Sequence, residues 1–176
     1  MCRVGLTQSK VSLDLYCAII IVMPKIYKLY REQVVKTDIE IAWNFIRSPK
    51  NLEALTPNDF PFEIVTELPE EMYNGLLIEF RVGIPILGKQ TWLTEIKHIR
   101  EEHSFVDEQL AGPYKLWYHY HEIQPADKGV RFVDRVHYAL PFGPLGMFAH
   151  VLFIRKMLGD IFDYREKRIS ELLKYP

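Results

Sequence analysis

Alternation of hydrophobic and polar residues dominates the middle of the chain. Leu76–Val82 reads LLIEFRV, with four apolar residues on one side and Glu79 and Arg81 on the other. A period of two is typical of antiparallel strands that bury one face and expose the other. The same criterion predicts six successive strands, at Phe62–Thr66, Leu76–Val82, Gln90–Ile99, Phe105–Leu110, Tyr114–Gln124 and Val130–Leu140.

A β-rich segment and two helical segments precede this run of strands. Ile26–Val35 predicts a first strand. Asp38 then stands at a helix N-cap position before IEIAWNFI, because its carboxylate can accept a hydrogen bond from the first turn. Ser48 and Pro49 begin a second short helix that ends at Pro57, since proline suits the first helical position.

The C-terminal segment changes to a helical period. Gly143-Pro144-Leu145-Gly146 interrupts the strand pattern, and Met147–Tyr175 then predicts one helix of about 40 Å at 1.5 Å per residue. Its predicted apolar stripe consists of Phe148, Val151, Leu152, Leu158, Ile161, Phe162, Ile169 and Leu172.

The order of elements predicts an α+β fold. A single sheet with one apolar face needs a cover, and the C-terminal helix is the only element long enough to supply it. We therefore predict a curved antiparallel sheet of about seven strands wrapped around that helix, with two short helices after the first strand. Strong bending leaves a space between the sheet and the end of the helix.

Composition describes an ordinary folded chain. Its 176 residues suit one domain, and 48% hydrophobic with 26% charged residues argue against disorder. The formal net charge is −1 and no basic stripe is present, so nothing indicates nucleic acid or an anionic membrane surface. Cys2 and Cys17 form no disulfide framework or zinc spacing, which favours a reducing, cytoplasmic location.

An apolar stretch, LDLYCAIIIVM, occupies residues 13–23. It is shorter than the roughly 20 residues that span a bilayer, and no A-x-A cleavage site follows it. We expect Met23 to be the true start, with a membrane-tethering or secretory role as the alternative. Residues 1–22 are therefore predicted to be an extension outside the fold, and residues 23–176 a single ligand-binding domain.

Polar residues interrupt the apolar face predicted for the last three strands. Assumed hairpin loops of four and three residues place His119 opposite Asp134 and Asp107 opposite Trp117. Opposed residues have Cβ atoms about 5 Å apart, so His119 and Asp134 can pair. The shared face carries Phe105, Asp107, Gln109, Trp117, His119, His121, Phe132, Asp134, Val136 and Tyr138.

Several interpretations of these polar groups stay open. They can form a satisfied network that fixes the strands, or orient the polar end of a ligand. His119, oriented by Asp134, can also act as a general acid or base. Metal binding by His119, His121 and a carboxylate rests on thin evidence, so no metal site is assigned.

Arg155 and Arg165 lie near the edge of the apolar stripe of the C-terminal helix. Each can extend its charged end to solvent, or one can reach an anionic ligand group. The other histidines show no partner pattern and are expected at the surface or on the helix: His98, His103, His137 and His150.

The element order and two motifs resemble the START-like helix-grip superfamily, also labelled SRPBCC, over roughly residues 24–175. The motifs are FVDEQLAGPYKLWYHYHEI and VRFVDRVHYALPFGPLG. The pattern W-x-H-x-H followed by D-x-V-x-Y-x-x-P-x-G is most similar to the polyketide cyclase/dehydrase-like, uncharacterised bacterial branch. The resemblance implies a hydrophobic cavity for lipids, polyketides, hormones or other apolar molecules. Some members are cyclases or aromatases and others only bind, so the resemblance carries over no catalytic residue.

We therefore predict binding of a hydrophobic small molecule or lipid, without a cofactor, a nucleic-acid partner or stable membrane insertion. A cyclase-like or hydrolytic enzyme is one alternative, and an interaction module that regulates a partner protein is another. The predicted ligand-binding residues are Phe80, Trp92, Thr94, Phe105, Asp107, Gln109, Trp117, His119, His121, Asp134, Val136 and Tyr138.

Overall fold

Seven strands form one curved antiparallel sheet in the computed structural model, which describes residues 24–84 and 88–173. The sheet order is β1-β7-β6-β5-β4-β3-β2, so β2 to β7 are each beside the next strand in the chain, and β7 ends beside β1. The predicted fold is confirmed. The strands are β1 (Ile26–Val35), β2 (Phe62–Ile64), β3 (Leu76–Ile84), β4 (Gly88–Arg100), β5 (Ser104–Ala111), β6 (Leu116–Ala126) and β7 (Gly129–Ala139).

The helices lie before β2 and after β7. Helix α1 (Ile39–Ile46) and a 3₁₀ helix (Pro49–Leu55) occupy the positions predicted for the two short helices. Asp38 stands at the N-cap of α1, but its side chain makes no capping hydrogen bond. The C-terminal helix consists of α2 (Gly143–Ala149), a π-helical turn (His150–Ile154) and α3 (Arg155–Leu172).

The C-terminal helix begins four residues before its predicted start at Met147. The sequence Gly143-Pro144-Leu145-Gly146 is the first turn of α2 rather than a break, because proline is compatible with the first helical positions. The predicted end at Tyr175 lies outside the described residues, as do residues 1–22.

The buried positions of this helix differ from the predicted stripe. Before Phe162 they recur every four residues, at Gly146, His150, Ile154 and Leu158. A π-helical turn carries more residues per turn than an α-helix, so a 3.6-residue stripe extended through it loses phase. Phe148, Val151 and Leu152 are consequently exposed. Beyond the turn, Leu158, Phe162 and Ile169 are buried as predicted, whereas Ile161 is half-buried and Leu172 is exposed.

The β6–β7 hairpin is tighter than predicted. Ala126 opposes Gly129, so the turn contains two residues instead of four. Gly129 has a φ of +129°, and a Cβ there would lie 2.0 Å from the carbonyl oxygen of Val35. Glycine is therefore needed at the end of this turn. The consequence is that His121, and not His119, lies opposite Asp134.

The β5–β6 register is displaced from the prediction by the same amount. Asp107 opposes His119 instead of Trp117, and Phe105 opposes His121. A shift of two residues keeps every side chain on its predicted face, because the side-chain period of a strand is two. The inner face is therefore as predicted, although its cross-strand partners change.

Irregular pairing between β4 and β5 contributes to the curvature of the sheet. The register shifts between Leu93 and Thr94 and again between Lys97 and Arg100. Bulges of this kind bend a strand and increase its twist. The bent sheet packs its inner face against α3, with Leu158, Phe162 and Ile169 at the contact.

Candidate ligand-binding pocket

A pocket of about 210 Å³ lies between the inner face of the sheet and α3. The alternation of β3 directs Ile78, Phe80 and Val82 into it, while Leu77 points outward and is exposed. The α3 residues that line it recur at helical spacing: Met157, Leu158, Ile161, Phe162, Arg165 and Ile169. Most of the lining is apolar, so the pocket favours apolar contents.

Nine of the twelve predicted site residues line this pocket. Gln109 does not, because its side chain bonds the backbone of Tyr114 in the β5–β6 connection, with Nε2 donating to the carbonyl at 2.7 Å. Val136 and Tyr138 are buried in a neighbouring core cluster. The nine lining residues are Phe80, Trp92, Thr94, Phe105, Asp107, Trp117, His119, His121 and Asp134.

Four of these residues form a closed polar ring, here called the His–Asp cluster: Asp107, His119, His121 and Asp134. His119 places Nδ1 3.1 Å from Asp107 Oδ2 and Nε2 2.8 Å from Asp134 Oδ1. His121 places Nε2 2.7 Å from Asp107 Oδ2 and Nδ1 3.0 Å from Asp134 Oδ1. Each carboxylate is thus shared by both imidazoles.

The hydrogen-bond pattern of the cluster places a proton on one nitrogen of each imidazole. An ionised carboxylate only accepts, so a ring nitrogen that is hydrogen-bonded to one must carry a proton. The two hydrogen bonds of the cluster, between His119 Nε2 and Asp134 Oδ1 at 2.8 Å and between His121 Nε2 and Asp107 Oδ2 at 2.7 Å, therefore each need a proton on Nε2. Protonation of His119, which lies between the two carboxylates, adds a compensating positive charge in this buried position.

The pKa shifts of Asp107, Asp134 and His119 favour two ionised carboxylates and a protonated His119. Burial alone would raise the pKa of Asp107, but the charge and hydrogen bond of His119, with the hydrogen bond of His121, hold it well below its usual range. Burial likewise opposes ionisation of Asp134, and hydrogen bonds from His119 and His121 lower its pKa. Burial would lower the pKa of His119, but Asp107 and then Asp134 raise it.

Aromatic side chains enclose the cluster. The His119 and His121 rings lie 3.7 Å apart between centroids. Phe105 stacks on His121 at 4.2 Å, and Phe162 from α3 meets His119 edge-on at 5.4 Å. Trp117 Nε1 donates to Asp107 Oδ1 at 3.0 Å. The arrangement fixes β5, β6 and β7 to one another and forms a polar floor in an apolar pocket.

This geometry favours the network interpretation over acid–base chemistry. A general base needs a ring nitrogen that is free to accept a proton from the substrate. Both nitrogens of His119 and His121 instead lie within 3.1 Å of a carboxylate oxygen. Asp107, His119 and His121 hold ligand atoms within 4.8 Å of one another, but a metal ion there would have to replace protons that these hydrogen bonds use.

The sequence interpretation missed part of the pocket wall and one buried histidine. Phe45, Leu52 and Leu55 line the pocket from α1 and the 3₁₀ helix, where the segments are too short to show a clear period. His150 is a helix residue but is buried, with Nε2 2.9 Å from the Tyr138 hydroxyl. Its four-residue spacing from Ile154 and Leu158 is the signal that could have placed it.

Comparison with known proteins rests on structure alone. No protein-family model and no curated protein matches the chain. A START superfamily protein from Mycobacterium smegmatis matches with a TM-score of 0.55 at 11% identity, over 84% of this chain and 96% of that one. The chain has the START-like helix-grip fold. Ginseng major latex-like protein 151 from Panax ginseng shares it, with a TM-score of 0.58 at 14% identity over 86% and 99% of the two chains.

A protein from Thermus thermophilus also has this helix-grip fold, with a TM-score of 0.60 at 19% identity over 82% and 95% of the two chains. Identities this low establish the fold and leave the polyketide cyclase/dehydrase-like branch as a prediction. Within the described residues, no helix is long and apolar enough to cross a membrane.

Proposed function

We propose that this protein binds a hydrophobic small molecule or lipid in the pocket between the sheet and α3. The observation that supports this most is an apolar pocket of about 210 Å³ inside a packed fold. Protein interiors contain few voids larger than a water molecule. An apolar cavity of about 150 Å³ is enough to bind benzene, so this pocket accommodates at least a ring or a short alkyl chain.

The two alternative functions are less well supported. An enzyme that uses His119 as a base would need a free ring nitrogen, and the His–Asp cluster occupies both of them. An interaction module is favoured by a collapsed cavity beneath an exposed apolar surface. Phe148 and Val151 do supply exposed apolar area, but the cavity beneath the sheet is open.

A variant that fills the pocket tests the proposal. Leu52 lines the pocket from the 3₁₀ helix and is half-buried. Leu52→Trp therefore adds side-chain volume at the edge of the pocket, where a larger side chain can be accommodated without unfolding the protein. Leu77→Trp is the matched control, because Leu77 lies on the outer face of β3 and is exposed. We expect an environment-sensitive apolar fluorescent probe to bind the wild-type protein and Leu77→Trp equally.

Leu52→Trp should weaken probe binding by about tenfold or more, which corresponds to about 1.4 kcal/mol. Circular dichroism checks that both variants fold. Probe binding that is absent from the folded wild-type protein, or that is equal in all three proteins, would overturn the proposal.

A further inference from the structure

Arg165 stands on the inner face of α3, among apolar residues. Phe162 lies one turn before it and Ile169 one turn after it, and both are buried. Arg165 lines the pocket, and among the described lining residues it is the only lysine or arginine. A cation on this face is unusual, because the inner side of an amphipathic helix normally carries apolar side chains.

The guanidinium of Arg165 lacks an anionic partner among the described residues. Its Nε is buried and makes no hydrogen bond to any residue that the structure describes. Its charged end lies over the Phe162 ring, 5.0 Å from the centroid. Arg168, one turn further along the same helix, instead donates to Glu171 at 2.6 Å. Arginine is always ionised, so donors left unpaired in a buried position are costly.

The acidic groups in the pocket are already paired elsewhere. Asp107 and Asp134 are held by the two imidazoles of the His–Asp cluster, and Glu122 forms an ion pair with Arg135 at 2.9 Å. The described part of the protein therefore offers no counter-ion to Arg165, although the pocket it faces has room for one.

We propose that Arg165 anchors the carboxylate of an amphiphilic acid whose apolar chain occupies the pocket. The planar fork of N–H groups on arginine matches the two oxygens of a carboxylate, which favours this group over a single-oxygen head group. The inference rests on the proposed function, because the pocket must hold the apolar part of the ligand. It narrows the ligand class from any apolar molecule to acids with an alkyl or aryl tail.

Decanoate and decanol test this inference, since they share a chain and differ in the charged head group. Both are titrated against the full chain by displacement of the fluorescent probe. We expect decanoate to bind the wild-type protein about tenfold more tightly than decanol, or more. Arg165→Gln should remove this preference, so that the affinities of the variant for decanoate and decanol agree within about twofold.

Lys167→Gln is the matched control. It removes one positive charge from the exposed side of α3, where Lys167 lies 3.8 Å from Glu171, and it should keep the preference for decanoate. Arg165→Lys keeps the positive charge but loses the planar guanidinium, so it should retain only part of the preference for decanoate. This variant replaces Arg165→Gln in the test if Arg165→Gln does not fold.

Equal affinity for decanoate and decanol in the wild-type protein would overturn the role of Arg165 and leave the proposed function standing. An undiminished preference for decanoate in both Arg165→Gln and Arg165→Lys would also overturn the role of Arg165 and leave the proposed function standing. Failure of the protein to bind decanol, decanoate and the probe would overturn both proposals together.

Discussion

At the scale of single residues, two imidazoles and two carboxylates share a small space at the floor of an apolar pocket. His119 is 2% exposed, and each of its ring nitrogens contacts a different carboxylate. Such a group is stable only while every member has its partner, because a lone buried charge costs far more than a paired one. The cluster should therefore respond strongly to removal of any one charge.

Asp134→Asn tests the contribution of the carboxylate that both histidines share. The amide keeps an acceptor oxygen but removes the negative charge, so we expect the free energy of unfolding to fall by about 1–3 kcal/mol. Urea denaturation followed by circular dichroism measures it. The control is Asp163→Asn, which alters an exposed pair with Arg31 and should cost less than about 1 kcal/mol. Equal effects of the two substitutions would argue against a buried, coupled cluster.

The same cluster predicts how stability depends on pH. The pKa of His119 is raised above its ordinary value of 6.5, so its contribution is complete below that pH and is lost as pH rises through the folded-state pKa. The pKa values of Asp107 and Asp134 are lowered from 3.8, so their contributions are present above that pH and are lost as pH falls.

The stabilisation from the cluster should consequently be greatest between about pH 4 and pH 6.5. Measured as the difference in unfolding free energy between wild type and Asp134→Asn, it should shrink on both sides of this window. A difference that stays constant from pH 4 to pH 9 would contradict the ion-pair assignment.

At the scale of secondary-structure elements, alternation placed the strands and their inner face but could not fix their register. A shift of two residues leaves the pattern unchanged, and the length of the hairpin turn decides between the alternatives. Pro125 and Ala126 extend β6 although they look like loop residues, because the turn itself begins at Asp127. His119 and Asp134 still meet at 2.8 Å, although they are no longer directly opposite.

The C-terminal helix shows a second limit of sequence patterns. Val151 and Leu158 both belong to the predicted apolar stripe, but Val151 is 75% exposed and Leu158 is 4% exposed. A 3.6-residue period of buried positions does not continue through a π-helical turn. The sequence pattern does not predict that turn. The three lining residues Phe45, Leu52 and Leu55 were missed for a related reason, since short segments carry little periodicity.

Alanine substitutions at Leu158 and Val151 test which of these two residues of the helix is buried. Leu158→Ala should lower the free energy of unfolding by about 2–5 kcal/mol, because it removes buried methyl groups and leaves a cavity. Val151→Ala should change it by less than about 0.5 kcal/mol, since the side chain is in solvent. Chemical denaturation of both variants measures the difference. Similar losses would mean that Val151 is covered in solution.

At the scale of the whole molecule, a bent sheet closed over one long helix leaves an internal space that the side chains do not fill. The sequence predicted this architecture because a single amphipathic sheet needs a cover and only one helix is long enough. The interior of that space combines an apolar wall, the His–Asp cluster and the guanidinium of Arg165, which has no ion-pair partner among the described residues. These three features together favour a ligand with a long apolar part and a small anionic end.

The indole N–H signals of the three tryptophans test binding in the pocket most directly. Trp92 and Trp117 line the pocket, whereas Trp43 is buried outside it and donates to Glu101 at 2.7 Å. In a titration of ¹⁵N-labelled protein with decanol, the signals of Trp92 and Trp117 should shift and saturate together while that of Trp43 stays in place. No shift at either pocket tryptophan, or equal shifts at all three, would contradict binding in the pocket.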